Sequence, residues 1–166
     1  MADFDLDPKA GLARQAAALL QGQRDRVANA ANLAALLYHS LERVNWLGFY
    51  FLKQGQLVVG PFQGKPACVT IPLGKGVCGT AAATRTVQRV ADVHDFAGHI
   101  ACDSASRSEI VLPLVKDGEL LGVLDIDSPV KGRFDENDER LLLEIARLFV
   151  ASIDQPEHCT SIPDDG

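Results

Sequence analysis

The stretch EIVLPLVKDGELLGVLDID, residues 109–127, consists of two apolar runs joined by Asp117-Gly118. An Asp-Gly pair between two apolar runs is a strong signal for a tight β-hairpin turn, because both residues tolerate a positive φ. The stretch therefore predicts two antiparallel strands, over residues 109–116 and 119–127.

A second hairpin is predicted on the N-terminal side of this one. The segment NWLGFYFLK, residues 45–53, is aromatic and aliphatic, and residues 57–62 resume the same character after Gln54-Gly55-Gln56. Runs of this composition on both sides of a short turn are typical of paired strands.

Helical periodicity occurs near both ends of the chain. Asp7-Pro8 predicts the start of a helix over residues 8–21, and apolar spacing predicts a second helix over residues 24–40. Asp135 is a candidate N-cap for a C-terminal helix whose apolar side extends to Ile153. We therefore predict an α+β fold in which an antiparallel sheet is covered on one face by N- and C-terminal helices.

Composition limits the class of protein. A chain of 166 residues with 47% hydrophobic and 23% charged residues fits one globular domain, predicted over residues 1–154, with a flexible tail over 155–166. No apolar run is long enough for a membrane helix and the N-terminus lacks a secretory signal, so we expect a cytoplasmic protein without membrane partners. A net charge of −6 with scattered basic residues argues against a nucleic-acid partner, while a homodimer stays open.

The middle of the chain, residues 64–108, has the character of a functional site. It is rich in small residues and contains three of the four cysteines and two of the four histidines. A short helix over residues 76–85 and a short strand over 87–90 are predicted, whereas residues 92–106 have no clear period. Long loops without regular structure are more often functional than not.

The predicted order of elements resembles a GAF domain, and residues 132–146 resemble the closing segment of that fold. Four blocks, at residues 44–52, 71–82, 92–114 and 121–129, are similar in order and spacing to the free methionine-(R)-sulfoxide reductases, and so is the spacing of three cysteines. Ala97 departs from the proline that is usual in that family's loop. The cysteines that carry the resemblance are Cys68, Cys78 and Cys102.

This resemblance implies an enzyme that reduces free L-methionine-(R)-sulfoxide with its own thiols. It marks Cys102 as the attacking thiolate, which becomes a sulfenic acid, and Cys68 or Cys78 as the thiol that resolves it into an intramolecular disulfide. Thioredoxin is the implied external reductant, and no bound cofactor is implied. Buried inert packing is an alternative reading for Cys78.

Carboxylates and aromatic residues complete the expected site. Asp125 and Asp127 are two apart on a strand, so they share a face and can hold the substrate ammonium. Glu109 matches the family's essential acid and is expected to contact the sulfoxide oxygen. Trp46 and Tyr50 are four apart on a strand and can pack against the S-methyl group. Solvated acids and core aromatic residues are the respective alternatives.

Two rival functions fit parts of the same pattern. A stand-alone GAF sensor for a small ligand, or a redox sensor without turnover, would leave the cysteines without a catalytic role. A metal site built from Cys78, His94, His99 and Cys102 is a second rival, but no two cysteines have the close spacing of structural zinc sites, so no metal is predicted. The roles of both histidines stay open.

Overall fold

A computed structural model describes residues 8–99 and 105–154, without the side chains of residues 8–10. The described residues form four helices and six strands, with one 3-10 turn at Val93–Asp95. The helices are α1 (Pro8–Leu20), α2 (Arg26–Ser40), α3 (Gly76–Thr84) and α4 (Glu136–Ser152). The strands are β1 (Trp46–Lys53), β2 (Gln56–Gly64), β3 (Thr70–Pro72), β4 (Gln88–Val90), β5 (Ser108–Lys116) and β6 (Glu119–Ser128).

All six strands form one antiparallel sheet in the order β3-β2-β1-β6-β5-β4. Both predicted hairpins are present, and in each the turn residues have positive φ: Gln54 and Gly55 in the first, Asp117 and Gly118 in the second. Strands β1 and β6 pair at the centre and so join the two hairpins into a single sheet.

One face of the sheet carries the main apolar core. Alternate residues of β1, β5 and β6 point to this face, where α1, α2 and α4 cover them. Phe149 of α4 packs between two aromatic residues of β1, with ring centroids 4.7 Å from Phe49 and 6.5 Å from Phe51. The predicted α+β sheet with terminal helices on one face is confirmed.

The opposite face carries a smaller apolar cluster under α3 and β3. Its members from the central strands are Trp46, Tyr50, Val111 and Val123, which alternate with the residues of the main core. Because α3 is only nine residues long, it leaves part of this face uncovered by helix. The candidate site lies in that part.

The observed boundaries differ little from the predicted ones. Helix α2 begins at Arg26, because the Asp25 side chain accepts a hydrogen bond from the backbone N–H of Ala28 at 2.8 Å and caps it there. Strand β3 was not predicted, since three residues ending in proline are too short to show a period. The predicted tail over 155–166 lies outside the described residues. Among the described helices, none combines the length and apolar character needed to cross a membrane.

Candidate active site

A pocket enclosing about 550 Å³, partly open to solvent, lies between the sheet and the N-terminal end of α3. It is lined by residues of β1, β5 and β6 on one side and by the segments around Ala67 and Gly76 on the other. The lining residues are Trp46, Tyr50, Pro66, Ala67, Ile71, Lys75, Gly76, Val77, Cys78, His99, Ser106, Glu109, Asp125 and Asp127.

Three acids enter this pocket from two paired strands. Glu109 of β5 lies opposite Asp127 of β6, and Asp125 lies opposite Val111, so all three carboxylates project from the same face. Glu109 and Asp125 are buried, with only 7% and 5% of their surfaces exposed. The register of one hairpin thus concentrates acidic groups where water is scarce.

Burial changes the protonation of these acids. Desolvation raises the pKa of Glu109, and desolvation together with the negative charge of Asp127 raises the pKa of Asp125 well above the usual range. A raised pKa means that each of these two carboxyl groups keeps its proton to a higher pH than an exposed acid does. The cluster can therefore supply a proton as well as hold a cation.

An aromatic wall faces the acids. The indole of Trp46 stacks between Tyr50 and Phe62, with ring centroids 5.7 Å and 5.2 Å away. Its Nε1 donates to the carbonyl of Lys65 at 3.1 Å, and the hydroxyl of Tyr50 donates to the carbonyl of Cys68 at 3.3 Å. Burial raises the pKa of Tyr50, so this hydroxyl remains a donor and ties the wall to the cysteine-bearing segment.

The described cysteines have different surroundings. Cys78 on α3 is a buried free thiol whose Sγ donates to Oε1 of Glu109 at 3.8 Å. Burial, followed by the negative charge of Asp125, raises the pKa of this thiol well above its usual range, which makes it a poor nucleophile at neutral pH. Cys68 is half-buried and disulfide-bonded. Cys78 is not its partner, because Cys78 is free.

Helix α3 brings Cys78 to the pocket through a tight local structure. The backbone N–H of Gly74 donates to the carbonyl of Gly79 at 2.8 Å, which folds the preceding loop against the helix. A Cβ on Gly79 would lie 2.5 Å from the carbonyl oxygen of Pro72. Only glycine allows this close approach, and the approach directs the start of α3 toward the acids.

The pocket contains most of the residues expected from the sequence. The six that line it are Trp46, Tyr50, Cys78, Glu109, Asp125 and Asp127. Cys68 follows the lining residue Ala67, whereas Cys102 lies outside the described residues. His99 also lines the pocket. His94 is not a lining residue, but its ring centroid is 6.4 Å from that of His99.

Two polar lining residues were missed by the sequence analysis. Lys75 brings a positive charge into the pocket at the N-cap position of α3, where it makes no side-chain cap hydrogen bond. A lysine at a position that normally favours Ser, Thr, Asp or Asn was the available signal. Ser106 accepts a hydrogen bond from Nδ2 of Asn45 at 3.2 Å and gave no signal in the sequence.

Comparison with known proteins agrees with this geometry. Residues 12–153 match the GAF domain family. Over 146 residues the chain is 59% identical to protein YtsP of Bacillus subtilis, covering 87% of this chain and 90% of that protein. Over 136 residues it is 57% identical to the free methionine-R-sulfoxide reductase of Escherichia coli, covering 82% of each.

The fold of this chain is also similar to that of a solved structure. The fRMsr of Staphylococcus aureus, in complex with its substrate, superimposes with a TM-score of 0.84 at 51% identity, over 87% of this chain and 94% of that one. The chain is a GAF-domain member of the free methionine-R-sulfoxide reductase family. As a member of this family, the chain is an oxidoreductase.

Proposed function

We propose that this chain reduces free L-methionine-(R)-sulfoxide to methionine with its own thiols. The observation that carries the proposal is the pocket itself, where buried acids face an aromatic wall beside Cys78 and one residue from Cys68. The names of its relatives in Escherichia coli and Saccharomyces cerevisiae, both free methionine-R-sulfoxide reductases, support the same activity.

Each part of the free amino acid has a partner in the pocket. Asp125 and Asp127 hold the ammonium group of the substrate, and the positively charged Lys75 attracts its carboxylate. The edge of the Trp46 indole, whose faces stack on Tyr50 and Phe62, packs against the S-methyl group. A methionine sulfoxide within a peptide has neither free charge, so burying these side chains against it would leave them unpaired, and peptides bind poorly.

Glu109 is the proposed acid of the reaction. Because its pKa is raised by burial, it can carry a proton near neutral pH and donate it to the sulfoxide oxygen. The thiolate of Cys102 attacks the sulfoxide sulfur and forms an S–S bond. The protonated oxygen then passes from the substrate sulfur to the Cys102 sulfur as the S–O and S–S bonds break, so methionine leaves and Cys102 becomes a sulfenic acid.

A second thiol then closes the cycle. The thiol of Cys68 attacks the sulfenic sulfur, a disulfide forms and water departs, so two thiols are oxidised for each sulfoxide reduced. We assign this role to Cys68 over Cys78, because Cys68 is disulfide-bonded while Cys78 is a buried thiol with a raised pKa. Thioredoxin reduces the disulfide, no bound cofactor is needed, and the reducing cytoplasm is the proposed location.

The test couples turnover to NADPH oxidation. Purified protein with thioredoxin, thioredoxin reductase and NADPH receives free methionine-R-sulfoxide, and NADPH loss is followed by absorbance. We expect turnover by the wild type, and none above background for Cys102→Ser. Cys159→Ser serves as a matched control, since it removes a tail thiol and should leave the rate unchanged.

Substrate controls decide between the rival functions. A peptide containing methionine sulfoxide should react at least about tenfold more slowly, because it leaves the charged side chains of the pocket unpaired. The S epimer carries the same charges but exchanges the positions of its oxygen and methyl group, so it should also react at least about tenfold more slowly because its oxygen faces away from Glu109. Equal rates on all substrates would contradict the pocket assignment. Binding of a small ligand without any turnover would instead support the sensor function.

A further inference from the structure

We propose that the thiol of Cys78 and the carboxylates of Glu109 and Asp125 form a binding site for Zn²⁺ within the pocket. One ligand atom from each of these three buried residues lies within 4.8 Å of the other two. A tetrahedral Zn²⁺ needs such sulfur and oxygen atoms about 3.5 Å apart. Side-chain movements of roughly 1 Å would therefore complete the ligand set.

Asp125 gives an independent indication that this cluster accepts a cation. It lines the pocket with 5% of its surface exposed, and its Oδ1 is buried without a hydrogen-bond partner among the described residues. Leaving a buried carboxylate oxygen unsatisfied is costly unless a cation or donor reaches it. A metal ion in the pocket would supply that interaction directly.

The ligand types select the metal. A cysteine sulfur favours Zn²⁺ and related borderline-soft ions, whereas Mg²⁺ and Ca²⁺ prefer sites made entirely of oxygen. Three protein ligands leave a fourth coordination position for water, as in zinc sites that remain open. The bound ion offsets most of the negative charge of the Cys78 thiolate and the carboxylates of Glu109 and Asp125, so these three groups can be ionised together in the buried pocket.

Binding exchanges protons for the metal and involves no oxidation. Zn²⁺ replaces the thiol proton of Cys78, a sulfur–zinc bond forms, and the proton passes to solvent together with any proton held by the carboxyl groups. The bound ion then occupies Glu109 and Asp125. Inhibition of sulfoxide reduction by Zn²⁺ is the expected consequence, and this part rests on the proposed function, while metal binding itself does not.

Co²⁺ provides a direct readout, because a thiolate ligand gives Co²⁺ a charge-transfer band in the near ultraviolet. Full-length reduced protein is titrated with Co²⁺ under anaerobic conditions and then with Zn²⁺. We expect the band to saturate at one equivalent and to disappear as Zn²⁺ displaces Co²⁺. Cys78→Ser should abolish the band, and Asp125→Asn should weaken Co²⁺ binding at least about tenfold.

The other thiols serve as controls for the ligand assignment. Cys102→Ser and Cys159→Ser should both keep the band, and circular dichroism confirms that every variant is folded. Absence of saturable Co²⁺ binding would overturn the proposal, as would a band that survives Cys78→Ser. If Cys78→Ser does not fold, unchanged affinity in Asp125→Asn overturns it equally.

The activity assay separates this proposal from the proposed function. Inhibition that rises in proportion to Zn²⁺ occupancy, is complete at one equivalent and is reversed by EDTA supports both. Saturable binding in a protein that never reduces the sulfoxide leaves the metal site standing and removes the reductase assignment. Full turnover with Zn²⁺ bound to Cys78 shows that the ion does not block substrate, which would refute the inhibitory consequence.

Discussion

The buried carboxyl group of Asp125 serves the pocket but lowers the stability of the fold. Its carboxyl group is almost fully buried beside two other acids, and burial together with the charge of Asp127 raises its pKa well above the usual range. Between the unfolded pKa and this raised value, the folded chain binds more protons than the unfolded chain. The free energy of unfolding therefore falls as pH rises above about 4.

Asp125→Asn should remove this cost, because the amide cannot ionise. We expect the free energy of unfolding at pH 7 to rise by about 1 kcal/mol and Tm to rise by about 2–4 °C. Sulfoxide reduction should fall at least about tenfold in the same variant, because one of the two proposed partners of the ammonium group is gone. Thermal unfolding between pH 4 and pH 8 would show a flatter profile than the wild type.

Glu144→Gln is the matched control for this substitution, since Glu144 is an exposed acid on α4. It should change neither the pH profile nor the activity. A loss of stability at pH 7 in Asp125→Asn would mean that the buried carboxylate is satisfied by interactions that an amide cannot replace.

A glycine in strand β1 fixes the position of the aromatic wall formed by Trp46, Tyr50 and Phe62. A Cβ on Gly48 would lie 2.2 Å from Cβ of Phe62 and 2.8 Å from the indole of Trp46. The absence of a side chain at this position lets β2 approach closely enough for Phe62 to stack on Trp46. One glycine in the strand thus sets the position of a pocket wall.

Gly48→Ala should push Phe62 and Trp46 apart, with a destabilisation of about 1–3 kcal/mol from overpacking. Trp46 is the single tryptophan of the chain, so a shift of its fluorescence emission reports the movement directly. We expect KM to increase more than kcat decreases, because the wall binds substrate without taking part in proton transfer.

Gly11→Ala provides the comparison, because a Cβ at Gly11 of α1 has no neighbour within 4 Å. This variant should be as stable as the wild type or slightly more stable, since alanine favours a helix. An unchanged emission spectrum in Gly48→Ala would show that β2 accommodates the methyl group without moving the wall.

The residues that stabilise the fold and the residues of the pocket lie on opposite faces of the sheet. The helices α1, α2 and α4 pack on the face that carries the main core, while the pocket with its acids lies on the other face under α3. Alternation along each strand assigns successive residues to the two faces. Changes to the core should therefore affect the unfolding equilibrium and leave the pocket unaltered.

Phe149→Leu tests this separation, because Phe149 packs on Phe49 and Phe51 on the core face. We expect a loss of about 1–2 kcal/mol in the free energy of unfolding and an unchanged kcat/KM well below Tm. Combined with Asp125→Asn, the two effects on stability should add, since the residues share no partners. Urea unfolding of the single and double variants measures this, and strong coupling would contradict the separation.

Much of this architecture could be read from local signals in the sequence. Asp117-Gly118 and Gln54-Gly55 predicted both hairpins, because a two-residue turn needs residues that adopt positive φ. Asp125 and Asp127 were predicted to share a face because strand alternation is a local property. Their placement in one pocket with Glu109 follows from the β5–β6 register, which the turn sets together with a one-residue register shift between Leu114 and Val115.

Other features depend on packing between distant segments and could not be predicted. Lys75 lines the same pocket as the acids because α3 folds back onto the sheet, and its position at a helix N-cap does not indicate that packing. The hydrogen bond from Cys78 to Glu109 crosses 31 positions. Strand β3 is formed by pairing with β2 and has no periodicity of its own. The catalytic roles assigned to the cysteines stay predictions.

The pairing of Glu109 with Asp127 has a consequence for how this chain can tolerate insertions and deletions. Because neighbouring positions along β6 face opposite ways, deleting one residue from the 117–118 turn while the register shift beside Leu114 is retained would turn Asp125 and Asp127 toward Phe149 and exchange them with Leu124 and Ile126. The carboxylates of Asp125 and Asp127 would then be buried in the apolar core, and the chain would not fold. The length of this turn is therefore constrained by the apolar core, although neither Asp117 nor Gly118 lines the pocket.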